Sequence, residues 1–420
     1  IAVDQLRRDR LDARLPGGLG RLAREGLVFD RAELAHAASE TCPGHVALAT
    51  GRHPGPAGVP ANYFVDRATG EGRYCVEDDP DTAGVLGAVT PVGRSPRLIR
   101  AEALGDWMKR ADPAARVLAV SGKDRSAVAL GGQHPDGAYW LQREGAVGFT
   151  TSRYYAAELP GWVAEWNGAP GRGARAAGAE SRLFAGLPDR WVHDVRPEQL
   201  GSSRIDDYPH ESAEYLRTSG HPLRDADAAV TAANVYVSPW VDAATLDFAH
   251  ALAVHHGLGD DDATDLLAIG LSATDTVGHL YGPESHESFA ALRRLDADLG
   301  AFLAALERRI GRERIVVALT SDHGVLAIPE WLAETGRATC SVETGRIPLD
   351  RLRSRLDWHL HFELARGLGL LWPRAWARYA GTEVTVDRAR AAAADRSVDE
   401  VVSVAEAWLE SRPEVVEAWT

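Results

Sequence analysis

Four short apolar runs, each closed by residues that bind metals or anions, constrain the fold more than any other feature of this chain. Ile1-Ala2-Val3 ends at Asp4, and Ala115–Val120 runs into Ser121-Gly122-Lys123-Asp124-Arg125. Asp265–Leu271 delivers Ser272-Ala273-Thr274-Asp275-Thr276-Val277-Gly278-His279, and Arg314–Leu319 ends in Thr320-Ser321-Asp322-His323-Gly324. Apolar runs without alternation belong to strands covered on both faces, which is the signature of a parallel sheet between helices. Helical stretches separate the runs, among them Leu104–Lys109, Ala243–His255 and Ala290–Leu306. The expected fold class is therefore α/β, with a central, mostly parallel sheet flanked by helices and irregular insertions forming a cap. Open sheets of this kind bind ligands at the carboxyl ends of their strands, where all four polar clusters fall.

Taken singly, each cluster has an ordinary reading beside the functional one. Asp4 reads as a ligand or an N-cap, and Lys123 with Arg125 as an anion clamp or a solvated turn. Asp275 and His279 stand four apart, so one helical turn would bring an oxygen and a nitrogen ligand to a single zinc. Asp322 and His323 are adjacent, with Gly324 available for a sharp turn. A further stretch, Ser39-Glu40-Thr41-Cys42-Pro43-Gly44-His45, precedes the apolar run Val46–Ala49, which reads as the start of a helix. Backbone N–H groups are free there, so the Thr41 hydroxyl is placed either as a cap or as a group that meets an anion. Asn62, about twenty residues on, offers an amide donor or a turn residue.

The organisation expected is a first core part (1–144), an aromatic-rich insertion or cap (145–240), a second core part (241–330), and a second insertion with helices (331–420). The aromatic stretch holds Tyr154-Tyr155, Trp162, Trp166, Trp191 and Tyr208-Pro209-His210 without helical or strand spacing, as expected of a substrate wall. Gln5–Leu15 has helical spacing closed by Pro16-Gly17-Gly18, Ile347–Gly369 reads as mostly helical, Glu383–Val386 as a strand, and Ala389–Ser411 as a long helix. A net charge of −14 argues against nucleic acid as a partner, and no apolar run reaches the ~18 residues of a membrane span. Three cysteines, Cys42, Cys75 and Cys340, support neither a disulfide framework nor a thiolate zinc site. The chain opens in a strand-like run with no signal-peptide pattern before it, which implies a start inside a longer protein.

In combination the motifs resemble the alkaline phosphatase superfamily, most closely its bacterial monomeric zinc enzymes with a threonine nucleophile, related to type I phosphodiesterases and nucleotide pyrophosphatases. The matching pieces, in order, are V-D-Q-L at Val3–Leu6, T-C-P-G-H at Thr41–His45, A-N at Ala61-Asn62, K-D-R at Lys123–Arg125, D-T-V-G-H at Asp275–His279 and S-D-H-G at Ser321–Gly324. The resemblance implies two zinc ions, one held by Asp4, Asp322, His323 and the Thr41 oxygen, the other by Asp275 and His279. Asn62, Lys123 and Arg125 would bind the phosphoryl oxygens, and Thr41 would attack phosphorus to form a phosphothreonine. With both ions, the three carboxylates, the alkoxide and the two cations counted, the balance is positive by about two units, which matches a monoester dianion.

The family's second zinc takes a further histidine from a T-x-H-G-type segment, and this sequence has none. His359 and His361 belong to a helical stretch instead, which implies a chain cut short at both ends. Small phosphate esters as substrates, a monomeric state and a periplasmic or secreted location are further implications of the resemblance. A phosphodiesterase on the same scaffold is the alternative, and a non-catalytic phosphate- or metal-binding relic is a second. A sulfatase is disfavoured, because Thr41–His45 lacks the C-x-P-x-R pattern.

Overall fold

The computed structural model describes residues 1–36, 38–67, 69–87, 92–168, 181–192, 220–334, 336, 348–365, 375–380, 383–413, 415 and 418. They form two compact units, one of Ile1–Asn62 and Cys75–Trp331, the other of Tyr63–Tyr74 and Leu332–Thr420. Along the chain, the first unit contains β1 (Ala2–Val3), α1 (Gly18–Glu25), α2 (Thr41–Thr50), α3 (Leu104–Ala111), β2 (Val117–Ser121), α4 (Asp124–Gly131), β3 (Gly137–Gln142) and β4 (Gly148–Thr150). Then come α5 (Ala228–Tyr236), α6 (Trp240–His255), β5 (Leu266–Leu271), α7 (Ala273–Tyr281) and α8 (His286–Ile310). The sheet order is β1-β5-β2-β3-β4, parallel throughout except for the antiparallel edge strand β4.

Strand alternation sets the two faces apart. Ala119, Ala138 and Ala268 point one way, against Leu130 of α4, so small side chains let that helix lie close to the sheet. Leu118, Val120, Tyr139, Leu141 and Ile269 point the other way, into the main core with Val241 and Phe248 of α6. The register pairs Val3 with Leu271 and Gly270 with Ser121, so the carboxyl ends of β1, β5 and β2 lie level. Continued past the strand ends, the same register sets Asp4, Ser272 and Lys123 side by side.

Several local expectations change. Gln5–Leu15 contains no α-helix, only a single 3-10 turn at Arg8–Arg10. Gln5 takes a left-handed conformation (φ 63°) just past β1, which turns the chain away, and the arginines pair with acids: Arg7 with Asp9 and Glu284, Arg14 with Asp12. The helix expected from Val46 starts five residues earlier, at Thr41, because proline is tolerated in a first turn and Pro43 stands there. Arg314–Leu319 is not a buried strand. Only Thr320 bridges Ala2, and among the described residues no strand pairs with the outer side, leaving Val316 97% exposed. The cysteines do pair: Cys42 is bonded to Cys75 across 33 residues of sequence, a loop whose closure stabilises a fold by about 3–4 kcal/mol in the chain-entropy account. Sequence spacing cannot show such a pairing, since the two residues meet only through the fold.

In the second unit, α9 (Leu349–Leu364) and α10 (Val398–Glu410) pack through Leu356, Leu360, Leu364, Trp376 and Val401, beside the hairpin Ala377–Ala380 and Glu383–Val386. Ala389–Ser411 is two helices rather than one. Asp395 takes a positive φ (52°), and the Ser397 side chain caps the second by accepting from Glu400 N. His359 stacks on Trp408, and His361 is buried in the same helix. Cys340, Tyr208-Pro209-His210 and the ends of Ile347–Gly369 lie outside the described residues. Among the described residues no helix is long and apolar enough to cross a membrane.

Candidate active site

All nine residues singled out by motif lie in the first unit, and they meet at the level strand ends. Asp4 follows β1 and is fully buried, with its backbone N–H donating to Leu271 O, so the strand-end reading holds and the N-cap reading does not. Lys123 precedes α4, Arg125 lies in its first turn, and Asp275 and His279 share a face of α7. Thr41 is the first residue of α2 and is itself buried. Its helix presses against the segment of Asp322, and a Cβ on Gly44 would come within 2.3 Å of Asp322 O; only glycine permits that approach.

The cations converge on the hydroxyl. Lys123 Nζ and Arg125 Nη2 each stand 3.4 Å from Thr41 Oγ1. Lys123 also lies between two carboxylates, 2.8 Å from Asp4 Oδ2 and 2.5 Å from Asp275 Oδ2. Burial alone would lower its pKa, but these two neighbours raise it, so the ammonium stays charged. Burial pushes the Asp4 carboxyl upward, with Lys123 opposing. Asp275 goes the other way: burial is outweighed by Lys123 and His279, which hold it well below the usual carboxylate range. His279 Nε2 is 3.2 Å from Asp275 Oδ1, on the exposed side of the helix. His323 Nε2 lies 3.4 Å from Asp322 Oδ2 and 4.0 Å from Asp275 Oδ1, and its Nδ1 lies 2.9 Å from Gly324 O. The turn that aims Asp322 and His323 inward does not use a left-handed Gly324. It is held by Ser321 Oγ, placed to donate to Val3 O and His323 O, and by His323 N, which donates to Asp322 Oδ1.

Asn62 is positioned by its surroundings. Its Oδ1 accepts from Cys42 N (2.8 Å), its N–H donates to Glu40 (2.7 Å), and the Cys42–Cys75 bond closes the same loop. The amide nitrogen is then the group it can offer to the cleft, which it lines.

Two residues inside the matched motifs, His45 and Gln5, are given no role by the sequence reading. His45 is completely buried, with Nδ1 2.8 Å from Thr41 O and 3.3 Å from Asp322 Oδ2, and Nε2 3.4 Å from Asp4 Oδ1. It ties the backbone of Thr41 to both carboxylates. Burial would lower its pKa, but Asp322 and Asp4 raise it. Gln5 donates from its backbone N–H to Asp322 Oδ1 and from Nε2 to Asp275 Oδ1, each at 3.0 Å. The signal for His45 was its i, i+4 spacing from Thr41, visible only once the helix start is placed correctly. Gln5 stands in the V-D-Q-L piece, but nothing in its spacing pointed to Asp322 or Asp275.

The donor set fits metal ions. Asp4, Asp322 and His45 are buried together, their ligand atoms lie within 4.8 Å of one another, and among the described residues Lys123 is the one lysine or arginine paired with this group, at Asp4 Oδ2. Buried carboxylates converging in this way are costly unless cations are present.

Behind the site, Asp242 on α6 accepts from Ser272 N (2.6 Å) and Ala273 N (3.0 Å) through Oδ1, fixing the start of α7, while Oδ2 is buried without a hydrogen-bond partner. Burial pushes its pKa up to about 7, only partly offset by those two N–H groups. The folded state therefore binds this proton more tightly than the unfolded chain, where it titrates near 3.8. The stabilising contribution is full below pH 3.8 and is lost as pH rises through 7, amounting to on the order of 4 kcal/mol. Denaturant titrations from pH 5 to 9 should show the wild type losing stability over this range and Asp242→Asn losing much less. Parallel curves would mean that the carboxyl is ionised throughout.

Residues 1–392 match the family described as type I phosphodiesterase/nucleotide pyrophosphatase. Alkaline phosphatase PhoK of Sphingomonas sp is 35% identical over 336 residues, covering 79% of this chain and 55% of its own length. Alkaline phosphatase PhoV of Synechococcus elongatus is 31% identical over 355 residues, 82% of this chain and 62% of its own. The chain thus spans little more than half the length of these relatives. The crystal structure of wild-type alkaline phosphatase PafA superposes with a TM-score of 0.82 at 24% identity, covering 98% of this chain and 76% of that one, a likeness of fold.

Proposed function

We propose, for a chain that belongs to the type I phosphodiesterase/nucleotide pyrophosphatase family of the alkaline phosphatase superfamily, that it is the site-bearing part of a phosphatase that hydrolyses phosphate monoesters through a phosphothreonine at Thr41. The observation that carries this reading is the convergence of Lys123 Nζ and Arg125 Nη2 on Thr41 Oγ1. A monoester dianion placed for attack by that oxygen meets two cations, whereas a diester brings one negative charge and a second substituent into the same space.

Zinc held by Asp4, Asp322, His323 and Thr41 at one position, and by Asp275 with His279 as two of the ligands at the other, would supply Lewis acidity at the attacking and leaving oxygens. Thr41 Oγ1 forms a bond to phosphorus as the ester P–O bond breaks and the alcohol departs. Water then cleaves the phosphothreonine and returns the hydroxyl. Lys123 and Arg125 stabilise charge on Thr41 Oγ1 and on the phosphoryl oxygens, with Asn62 adding its amide nitrogen. His45 and Gln5 keep the nucleophile and the carboxylates in register. Small phosphate esters are the partners of this site, and the protein acts as a monomer. A periplasmic or secreted setting suits the Cys42–Cys75 disulfide, which persists in an oxidising compartment.

The test uses the full-length protein loaded with zinc, assayed on an aryl phosphate and on the corresponding bis-aryl phosphate. Faster monoester turnover, abolished by chelation and restored by zinc, is the expected result. Preference for the diester would favour the phosphodiesterase reading instead, and no turnover of either would leave a binding protein.

A further inference from the structure

The cleft of about 1150 Å³ that the catalytic groups line has a second stretch of lining with a different chemistry. That stretch is made by Tyr236, Val237, Thr276, Leu280, Val325 and Leu326, none of which carries a charge. Leu326 is 90% exposed and Tyr236 half-buried, so apolar surface is open to the cleft. The wall is attached to the site itself. Thr276 and Leu280 sit on α7 directly after Asp275 and His279, and Thr276 Oγ1 donates to Tyr236 O at 2.8 Å. The Tyr236 ring is held as well, with the Arg143 guanidinium 3.7 Å from its centroid.

From this arrangement we infer that Tyr236, with Leu280, is a specificity-determining residue, and that the preferred substrates are phosphate monoesters of aromatic or otherwise apolar alcohols. The inference rests on the phosphatase reading above. In-line displacement expels the leaving oxygen on the side of phosphorus away from Thr41. If Asp275 and His279 serve that oxygen, the group attached to it must lie along the cleft face of α7, against Leu280 and the tethered ring of Tyr236. A planar or aliphatic alcohol gains contact there, and a polyol exchanges water for a surface with few polar partners.

The test compares benzyl phosphate with glycerol 1-phosphate, whose alcohols are of similar acidity. The wild type should favour benzyl phosphate in kcat/KM, and Tyr236→Ala should reduce that preference about tenfold, with Tyr236→Phe retaining most of it. Leu280→Asn, on a different element, should shift the preference in the same direction. Inhibition by inorganic phosphate, which has no leaving group, should be unchanged in all three variants. Equal losses on both esters, or weakened phosphate inhibition, would overturn the inference while leaving the phosphatase reading intact. Absence of turnover for either ester would refute the phosphatase reading, and the wall would then be tested by binding of benzylphosphonate against 2,3-dihydroxypropylphosphonate. Equal binding of the two, unaffected by Tyr236→Ala, would overturn it.

Discussion

Thr41→Ala is expected to lower phosphate monoester turnover by about three orders of magnitude or more, whereas Thr41→Ser keeps measurable activity. The reason lies in how little else is placed to attack phosphorus. Cys42, the neighbouring nucleophile by residue type, is consumed in the bond to Cys75. The Thr41 hydroxyl is held at the start of α2, its carbonyl tied to His45 and its oxygen faced by both Lys123 and Arg125. Serine preserves that hydroxyl and loses only a methyl group, so the charge environment persists. Acid quenching during turnover of a labelled monoester, followed by peptide mapping, should place phosphate on residue 41. Label on another residue, or near-normal rates in Thr41→Ala, would move the nucleophile elsewhere.

The parts of this fold that were legible in the sequence are those whose environment is decided locally. The β2 and β5 runs are uninterrupted by polar residues because both faces are covered, and that pattern alone implies a parallel sheet with ligands at its carboxyl ends. Arg314–Leu319 has the same composition but lies at an edge, and exposure at an edge depends on neighbours that apolar character does not report. Gln5–Leu15 shows the converse: helical spacing yields to a positive φ at Gln5 and to ion pairs with a partner as distant as Glu284.

The site divides in the same way. Metal- and phosphate-type side chains at strand ends announce themselves by chemistry, while the residues that hold them do so only by geometry. His45 lies four residues after Thr41, so placing the helix start at Val46 hid the contact with Thr41 O that a start at Thr41 creates. The aromatic stretch after Gly145 is similar. Phe149, Trp162 and Trp166 pack against Phe248, and among the described aromatics of that stretch it is Tyr236 that lines the cleft. Composition located the aromatics without separating wall from core.

Lys123 and Arg125 share a motif and a 3.4 Å approach to Thr41 Oγ1, yet their truncation should have different consequences. Arg125 is half-buried and lines the cleft, so Arg125→Ala should act mainly on the transferred group, costing roughly 2–4 kcal/mol in the transition state, or roughly 30- to 1000-fold in monoester kcat/KM. Diester turnover should fall much less, since a diester offers one non-bridging charge fewer. Lys123 is buried between Asp4 and Asp275 and shares its single positive charge between them. Lys123→Ala therefore leaves two buried carboxylates without their cation, and the metal-free protein should lose about 3–5 kcal/mol of stability as well as monoester activity. Ions bound by those same carboxylates replace part of the missing charge, so zinc should restore more stability to Lys123→Ala than to the wild type. Denaturant titrations with and without zinc, alongside kcat/KM on a monoester and a diester, separate the two roles. Equal monoester and diester losses in Arg125→Ala would make that arginine structural, and a Lys123→Ala protein as stable as wild type without metal would show that Asp4 is protonated and needs no counter-ion.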